Sequence, residues 1–220
     1  MFRPIKTLVF LQLFTIGLYA GPNEDLQQAV YRDDVAATAK ALTDGADVNY
    51  APINNVTPLH TASNHGAVKV VKLLLKAGAN IQAQDVAGRT PLWEAIGNDH
   101  AEVVKLLIAA GADLSNPHEG YTLLMWASTT GSKQVAELLL KHKIPIDAQE
   151  ASAESEQYGS GFTALMHAAL NGRIEVVRLL LSHKANVNLK TSTGWTALKI
   201  AIQAKYYDIA DLLRTKGAKM

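Results

Sequence analysis

Thr57-Pro58-Leu59-His60-Thr61-Ala62 is written again, in worn form, as Thr90-Pro91-Leu92-Trp93-Glu94-Ala95, Thr122-Leu123-Leu124-Met125-Trp126-Ala127, Thr163-Ala164-Leu165-Met166-His167-Ala168 and Thr196-Ala197-Leu198-Lys199-Ile200-Ala201. Each copy is followed at one fixed offset by a leucine-rich run: Leu73-Leu74-Leu75, Leu106-Leu107-Ile108, Leu138-Leu139-Leu140, Leu179-Leu180-Leu181 and Leu212-Leu213. Threonine to threonine, the steps are 33, 32, 41 and 33 residues. A period of this size belongs to a stacked array of small units, each touching its neighbours, rather than to one globular core. The question for function is then which surface of the stack is used.

The copy from Gln84 to Asp113 shows how one unit folds. Asp85-Val86-Ala87-Gly88-Arg89 supplies a turn, with Gly88 where a positive φ is wanted. Thr90 caps a first helix through its hydroxyl, and Pro91 suits the first helical position, where no backbone N–H is needed. After Gly97-Asn98-Asp99, Val103, Val104, Leu106 and Leu107 line one face of a second helix, which Gly111 ends. Such a helix pair cannot bury its own apolar face, so several copies must stack.

These residues resemble the ankyrin repeat family over about residues 23–220, with both halves of the motif in register in five copies. The resemblance implies an all-α repeat solenoid of helix-turn-helix units with β-hairpin fingers. It comprises about five full repeats (52–84, 85–116, 117–149, 158–190 and 191–220) behind an amino-terminal cap at 23–50. The cap keeps Asp25-Leu26, Ala29, Leu42 and Gly45-Ala46-Asp47-Val48-Asn49 but lacks the Thr-Pro turn. Pro is replaced by Leu123, Ala164 and Ala197 in the last three copies, and the helix-ending Gly by Lys143 and Lys184. A left-handed non-glycine residue costs roughly 1–2 kcal/mol, so the third and fourth repeats are expected to have the weakest helix ends.

The chain starts differently. Arg3 and Lys6 precede an apolar run from Thr7 to Leu18, and Leu18-Tyr19-Ala20 sets a small residue before Gly21. That order reads as a secretory signal peptide over 1–20, cleaved between Ala20 and Gly21, with 21–220 as the repeat domain. A retained anchor is the alternative, although the run is shorter than the about 20 residues that a membrane-spanning helix needs. Cysteine is absent, which closes the lipid-anchor route and leaves stability to packing alone. Loss of 1–20 moves the formal charge from +1 to −1, which argues against non-specific nucleic-acid binding. Acids gather in 21–50 and bases in 182–220, a distribution suited to polar end caps and also able to orient a charged partner.

The 41-residue step places about eight extra residues within about 147–160. In the family this segment is the finger, and insertions on one face of a solenoid often belong to its binding face. The inserted stretch carries Asp147, Glu150, Glu154 and Glu156 with no base, and Tyr158 as an aromatic contact group. The competing reading is a tolerated loop, since long surface insertions cost little loop entropy. Family geometry also puts the residue before each threonine on the exposed side, giving Val56, Arg89, Tyr121, Phe162 and Trp195 down the stack. Trp93 and Trp126 widen this stripe if exposed, and otherwise serve as packing residues. Arg89, Trp93, Tyr121, Trp126, Tyr158, Phe162 and Trp195 are therefore the candidate partner-binding residues, with packing against the next finger as the rival role.

No catalytic site is expected. None of the seven histidines (His60, His65, His100, His118, His142, His167 and His183) has a close metal-ligand spacing, and no phosphate loop or nucleophile elbow stands out. His60 matches the family position whose ring bridges neighbouring turns. Asn55-Val56-Thr57 fits a glycosylation acceptor, but Asn55 also occupies the turn slot of Gly88 and Gly120. The expectation is a monomeric, non-catalytic scaffold with no cofactor and no metal. It would be periplasmic or secreted, off the membrane after cleavage, and bound to another protein through its concave face and fingers. Protection, inhibition or neutralisation of an exported enzyme or toxin fits that setting. The alternatives are a secreted effector acting on host proteins and a small-molecule or metal-binding accessory to an envelope enzyme.

Overall fold

The computed structural model describes residues 21–115, 120–150 and 157–219. Residues 1–20, expected to be a signal peptide ending at Ala20, lie outside the described residues, as do His118 and Glu154 and Glu156 of the insertion. Gly21 precedes the first helix, its N–H donating to Glu24 Oε2 at 3.1 Å. No described helix is long and apolar enough to cross a membrane.

Among the described residues twelve helices form six antiparallel pairs. The inner helices are α1 (Pro22–Tyr31), α3 (Pro58–Asn64), α5 (Pro91–Gly97), α7 (Leu123–Thr130), α9 (Ala164–Leu170) and α11 (Ala197–Gln203). The outer ones are α2 (Val35–Thr43), α4 (Val68–Lys76), α6 (Ala101–Ala109), α8 (Lys133–Lys141), α10 (Ile174–Ser182) and α12 (Tyr207–Thr215). Each repeated threonine caps its inner helix. Thr57, Thr90, Thr122, Thr163 and Thr196 accept from the N–H three residues on. The core runs the length of the array through equivalent positions, such as Val70, Val71 and Leu74 in α4 and Ile209, Ala210 and Leu213 in α12, all without exposed surface. No strand forms among the described residues; turns build the fingers.

His60 has the bridging role expected of it. Its Nδ1 accepts from the Thr57 N–H (3.2 Å) and the Thr57 hydroxyl (2.8 Å), while Nε2–H donates to the Arg89 carbonyl at 2.9 Å. Lys143 and Lys184 end their repeats at φ +60° and +66°, as the missing glycines imply, and Asn55 takes φ +56°.

Two features tie neighbours together that the repeat motif does not announce. Along the loops after the outer helices runs a ladder of side-chain rungs. Asn80 N–H donates to Asn49 Oδ1 (2.7 Å), Gln82 Nε2 to the Gly111 carbonyl (3.3 Å), Asn186 N–H to Asp147 Oδ1 (2.9 Å) and Lys219 N–H to Asn188 Oδ1 (2.9 Å). At the opposite edge, the residue that opens an outer helix lies over the turn of the preceding repeat. His100 covers Gly66, Arg173 covers Gly131 and Tyr206 covers Gly172. A Cβ on those glycines would meet the covering side chain at 2.5, 2.8 and 2.5 Å. Where the turn residue is Asp33 or Asp99, both at positive φ, the equivalent position holds buried Ala67 or Ser132 instead.

Candidate partner-binding face

Finger closure locates the insertion. Asp85 N–H donates to the Arg89 carbonyl (3.0 Å), Thr191 N–H to that of Trp195 (2.9 Å), and Glu150 N–H to that of Phe162 (2.9 Å). The eight extra residues thus lie between the same two closing positions used by the short fingers. Neighbouring fingers are joined by Val86 N–H to the Asn54 carbonyl and Ser192 N–H to the Ser160 carbonyl, both 2.9 Å.

The aromatic stripe anticipated from the sequence is largely internal. Phe162 is 3% exposed and Trp93 8%, so neither offers a free face. Trp126 stacks on Trp93 with centroids 5.2 Å apart and donates from Nε1 to the Trp93 carbonyl (3.3 Å). Tyr158 is no exposed tip. It is half-buried, edge-on to Phe162 (5.7 Å) and to Trp195 (5.0 Å). Packing the next finger is what these rings do, since aromatic edges and faces find each other where the chain closes over them.

Glu150 departs from the reading of the insertion as exposed and acidic. Its carboxylate is buried and accepts from His167 Nε2 at 3.1 Å, with side chains 2% and 6% exposed. The Tyr121 hydroxyl donates to His167 Nδ1, also 3.1 Å, and the Phe162 ring lies 5.1 Å from the imidazole. Tyr121, His167 and Glu150 form one hydrogen-bonded chain that pins the base of the inserted finger to α9. Burial, and next the Glu150 charge, push the Tyr121 phenol up to about 12. The motif hid this because His167 stands one place later after its threonine than His60 does.

At the other end of the groove Arg89 joins finger to floor. It reaches Asp85 (2.6 Å) and Glu94 (3.0 Å), and Glu94 Oε2 accepts from Asn64 Nδ2 (2.7 Å). Burial pushes the Asp85 carboxyl up, but hydrogen bonds and charge from Arg89, with the Ala87 amide, outweigh it and hold it below the usual range. Of the seven candidates, Arg89, Tyr121, Trp126, Tyr158 and Trp195 keep partial exposure and line the groove and fingers. Val86, missed at sequence level, is the most exposed large apolar side chain among the described residues at 67%, on the tip of an intact finger. Such a surface is open and multi-point. It suits a protein contact better than an enclosed small ligand. Among the described residues no three His, Cys, Asp or Glu side chains gather to hold a metal.

Comparison with known proteins agrees with this architecture. The family described as ankyrin repeats (3 copies) matches residues 84–151 and 149–220, and that described as ankyrin repeats (many copies) matches 59–108. No curated protein matches significantly. The human ASB11 ankyrin repeat domain is similar at TM-score 0.78 and 28% identity, over 88% of this chain and 84% of that one. A chain from the complex of Bd0816, a predatory endopeptidase of Bdellovibrio bacteriovorus, with immunity protein Bd3460 is similar at TM-score 0.74 and 29% identity. That likeness covers 88% of this chain and 98% of the other. Ankyrin repeats mediate protein–protein interaction and are generally non-catalytic scaffolds, and this chain belongs to the ankyrin repeat family.

Proposed function

We propose that this protein is exported and binds one partner protein through its groove and fingers, restraining an exported enzyme such as a peptidase. The observation that carries the reading is the likeness over nearly the whole of a chain from an endopeptidase–immunity protein complex. The groove supports it chemically. Arg89 and Trp126 are of types that dominate binding hot spots, and exposed Val86 adds an apolar contact at a finger tip. The basic–apolar–small leader motivates placement in the periplasm.

The test is cell fractionation followed by envelope crosslinking and affinity capture. Wild type runs beside Val86→Asp, which alters an exposed tip without disturbing the core. A periplasmic mature form that captures one dominant protein, with capture reduced by Val86→Asp, is the expected result. Retention of the full-length chain in the membrane defeats the placement. Equal capture by both forms moves the contact off the fingers, and no capture by either defeats the scaffold reading.

A further inference from the structure

The first and last units of a repeat array each keep one side that no neighbour covers. Ala37 of α2 is partly exposed, whereas Val70, Val103, Val135, Val176 and Ile209, its equivalents in the other five repeats, have no exposed surface. With Asp25, Arg32, Asp34, Lys40 and Asp44 it lines a groove of about 250 Å³ between α1 and α2. At the other end Ile202 of α11 is partly exposed in a slot where Ser63, Ile96, Ser128 and Ala169 are fully enclosed. Lys199 and Arg214 stand there where the preceding repeat carries buried Met166 and half-buried Leu181.

These two faces are opposite in charge. Residues 21–50 hold six acids and two bases, and residues 191–220 five bases and two acids. They also match in shape at the edge where each outer helix opens. Within the array, large opening residues lie over glycine turns: His100 over Gly66, Arg173 over Gly131 and Tyr206 over Gly172. Turns that carry a side chain at positive φ, Asp33 and Asp99, are followed one repeat on by the short openers Ala67 and Ser132. The last turn of the chain is of this second kind, Lys205 at φ +65°. The first opener of the chain is short, and it is Asp34. A second copy set on the basic end in the register of a next repeat brings Asp34 over Lys205, with size and charge both satisfied.

We propose that copies of this chain associate head to tail, the α1–α2 face of one copy continuing the array of another beyond α11 and α12. Such a contact joins two different surfaces, so copies add in an open row instead of closing a dimer. It is weaker than an internal junction. The loop ladder cannot cross it, because the Asp47 N–H is already given to Asn23 Oδ1 at 2.7 Å. Salt screens charges on exposed faces, so the row forms at high protein concentration and low ionic strength. The expectation of a monomer then describes dilute solution. The inference does not depend on the identity of any other partner.

Sedimentation velocity over a range of concentrations, on the protein purified in the form that cells accumulate, tests it. Wild type should grow in mass with concentration at low salt and lose that growth at high salt. Lys205→Asp sets like charges against each other while using a residue that Asp33 and Asp99 show to be at home in that turn. It should weaken association by at least about tenfold. Asp34→Tyr and Lys205→Gly copy the Tyr206–Gly172 arrangement in separate chains. Each should associate poorly alone, the first through a clash and the second through a gap, and an equimolar mixture should recover wild-type behaviour. Thermal unfolding checks that every variant is folded, and Lys205→Asp decides the matter if Asp34→Tyr is not. A wild type that stays monomeric throughout, or a Lys205→Asp protein that associates as well as wild type, overturns the proposal. Association of Asp34→Tyr alone, or a mixture no better than its components, overturns the contact between Asp34 and Lys205.

Discussion

Replacing Glu150 by alanine tests the buried chain at the base of the inserted finger. The carboxylate accepts from His167 Nε2 where both side chains are almost wholly enclosed, and the Tyr121 hydroxyl occupies Nδ1. Alanine leaves the Nε2–H facing a dry cavity. An unsatisfied buried donor costs about 1–3 kcal/mol. Glutamine at 150 still presents a carbonyl acceptor of the same reach, so only charge assistance is lost and the cost falls to about 1 kcal/mol or less. Urea unfolding followed by tryptophan fluorescence measures both variants. Hydrogen exchange shows where the loss sits, and because repeat arrays transmit stability mainly to neighbours, α9 and α10 should open before α3 to α6. A Glu150→Ala protein within about 0.5 kcal/mol of wild type, or a Glu150→Gln protein equally damaged, refutes the reasoning.

Three further outcomes follow from the same geometry. Gly172→Ala and Gly217→Ala both place a side chain at positive φ, but only the first meets a ring, Tyr206 at 2.5 Å, whereas Gly217 faces open space. Gly172→Ala should therefore show the larger fall in Tm by about 1–3 kcal/mol equivalent, and Tyr206→Ser should recover part of it; equal falls would sink the covering contact. Tyr121, raised from 10.0 to about 12, is neutral in the native state while the unfolded chain ionises earlier. Its contribution is whole below about pH 10 and lost as pH rises through about 12. Phenolate absorbance should show a late-titrating component that Tyr121→Phe removes. Burial lowers the His60 pKa below its ordinary 6.5, so the unfolded chain takes up a proton that the native state resists. Stability from neutral His60 is complete above about pH 6.5 and lost as pH falls through the lower native value. The urea midpoint should fall on acidification, and fall less steeply in His60→Gln.

Much of the fold was legible because its signals are local. A threonine that caps, a leucine two residues later and a glycine or lysine at positive φ each act within a few residues of themselves. The helices, the cap and the left-handed Lys143 and Lys184 could be placed from those positions. The candidate face was less legible because exposure is decided between repeats. Phe162 and Trp195 occupy the same slot as Arg89, yet Tyr158 of its own finger and His167 pack on the buried Phe162, and Tyr158 from the neighbouring finger half-covers Trp195, while Arg89 is engaged by Asp85 and Glu94. Glu150 read as one acid among four in a polar loop. Its partner lies 17 residues away on α9, beyond the reach of any local motif.

The covering of the glycine turns by the next repeat also restricts how such a chain could have grown. Tandem copying sets a repeat beside its own duplicate, so its turn must accept its own outer-helix opener. The fourth repeat passes, because Arg173 could lie over a second Gly172 much as it lies over Gly131. The second fails, since His100 would fall on the side chain of Asp99. The first and third would leave a gap, with Ala67 over Gly66 and Ser132 over Gly131. The order of the repeats is therefore written into their edges as donor and recipient shapes. An unequal crossover would be tolerated at one place in this array and penalised at the others.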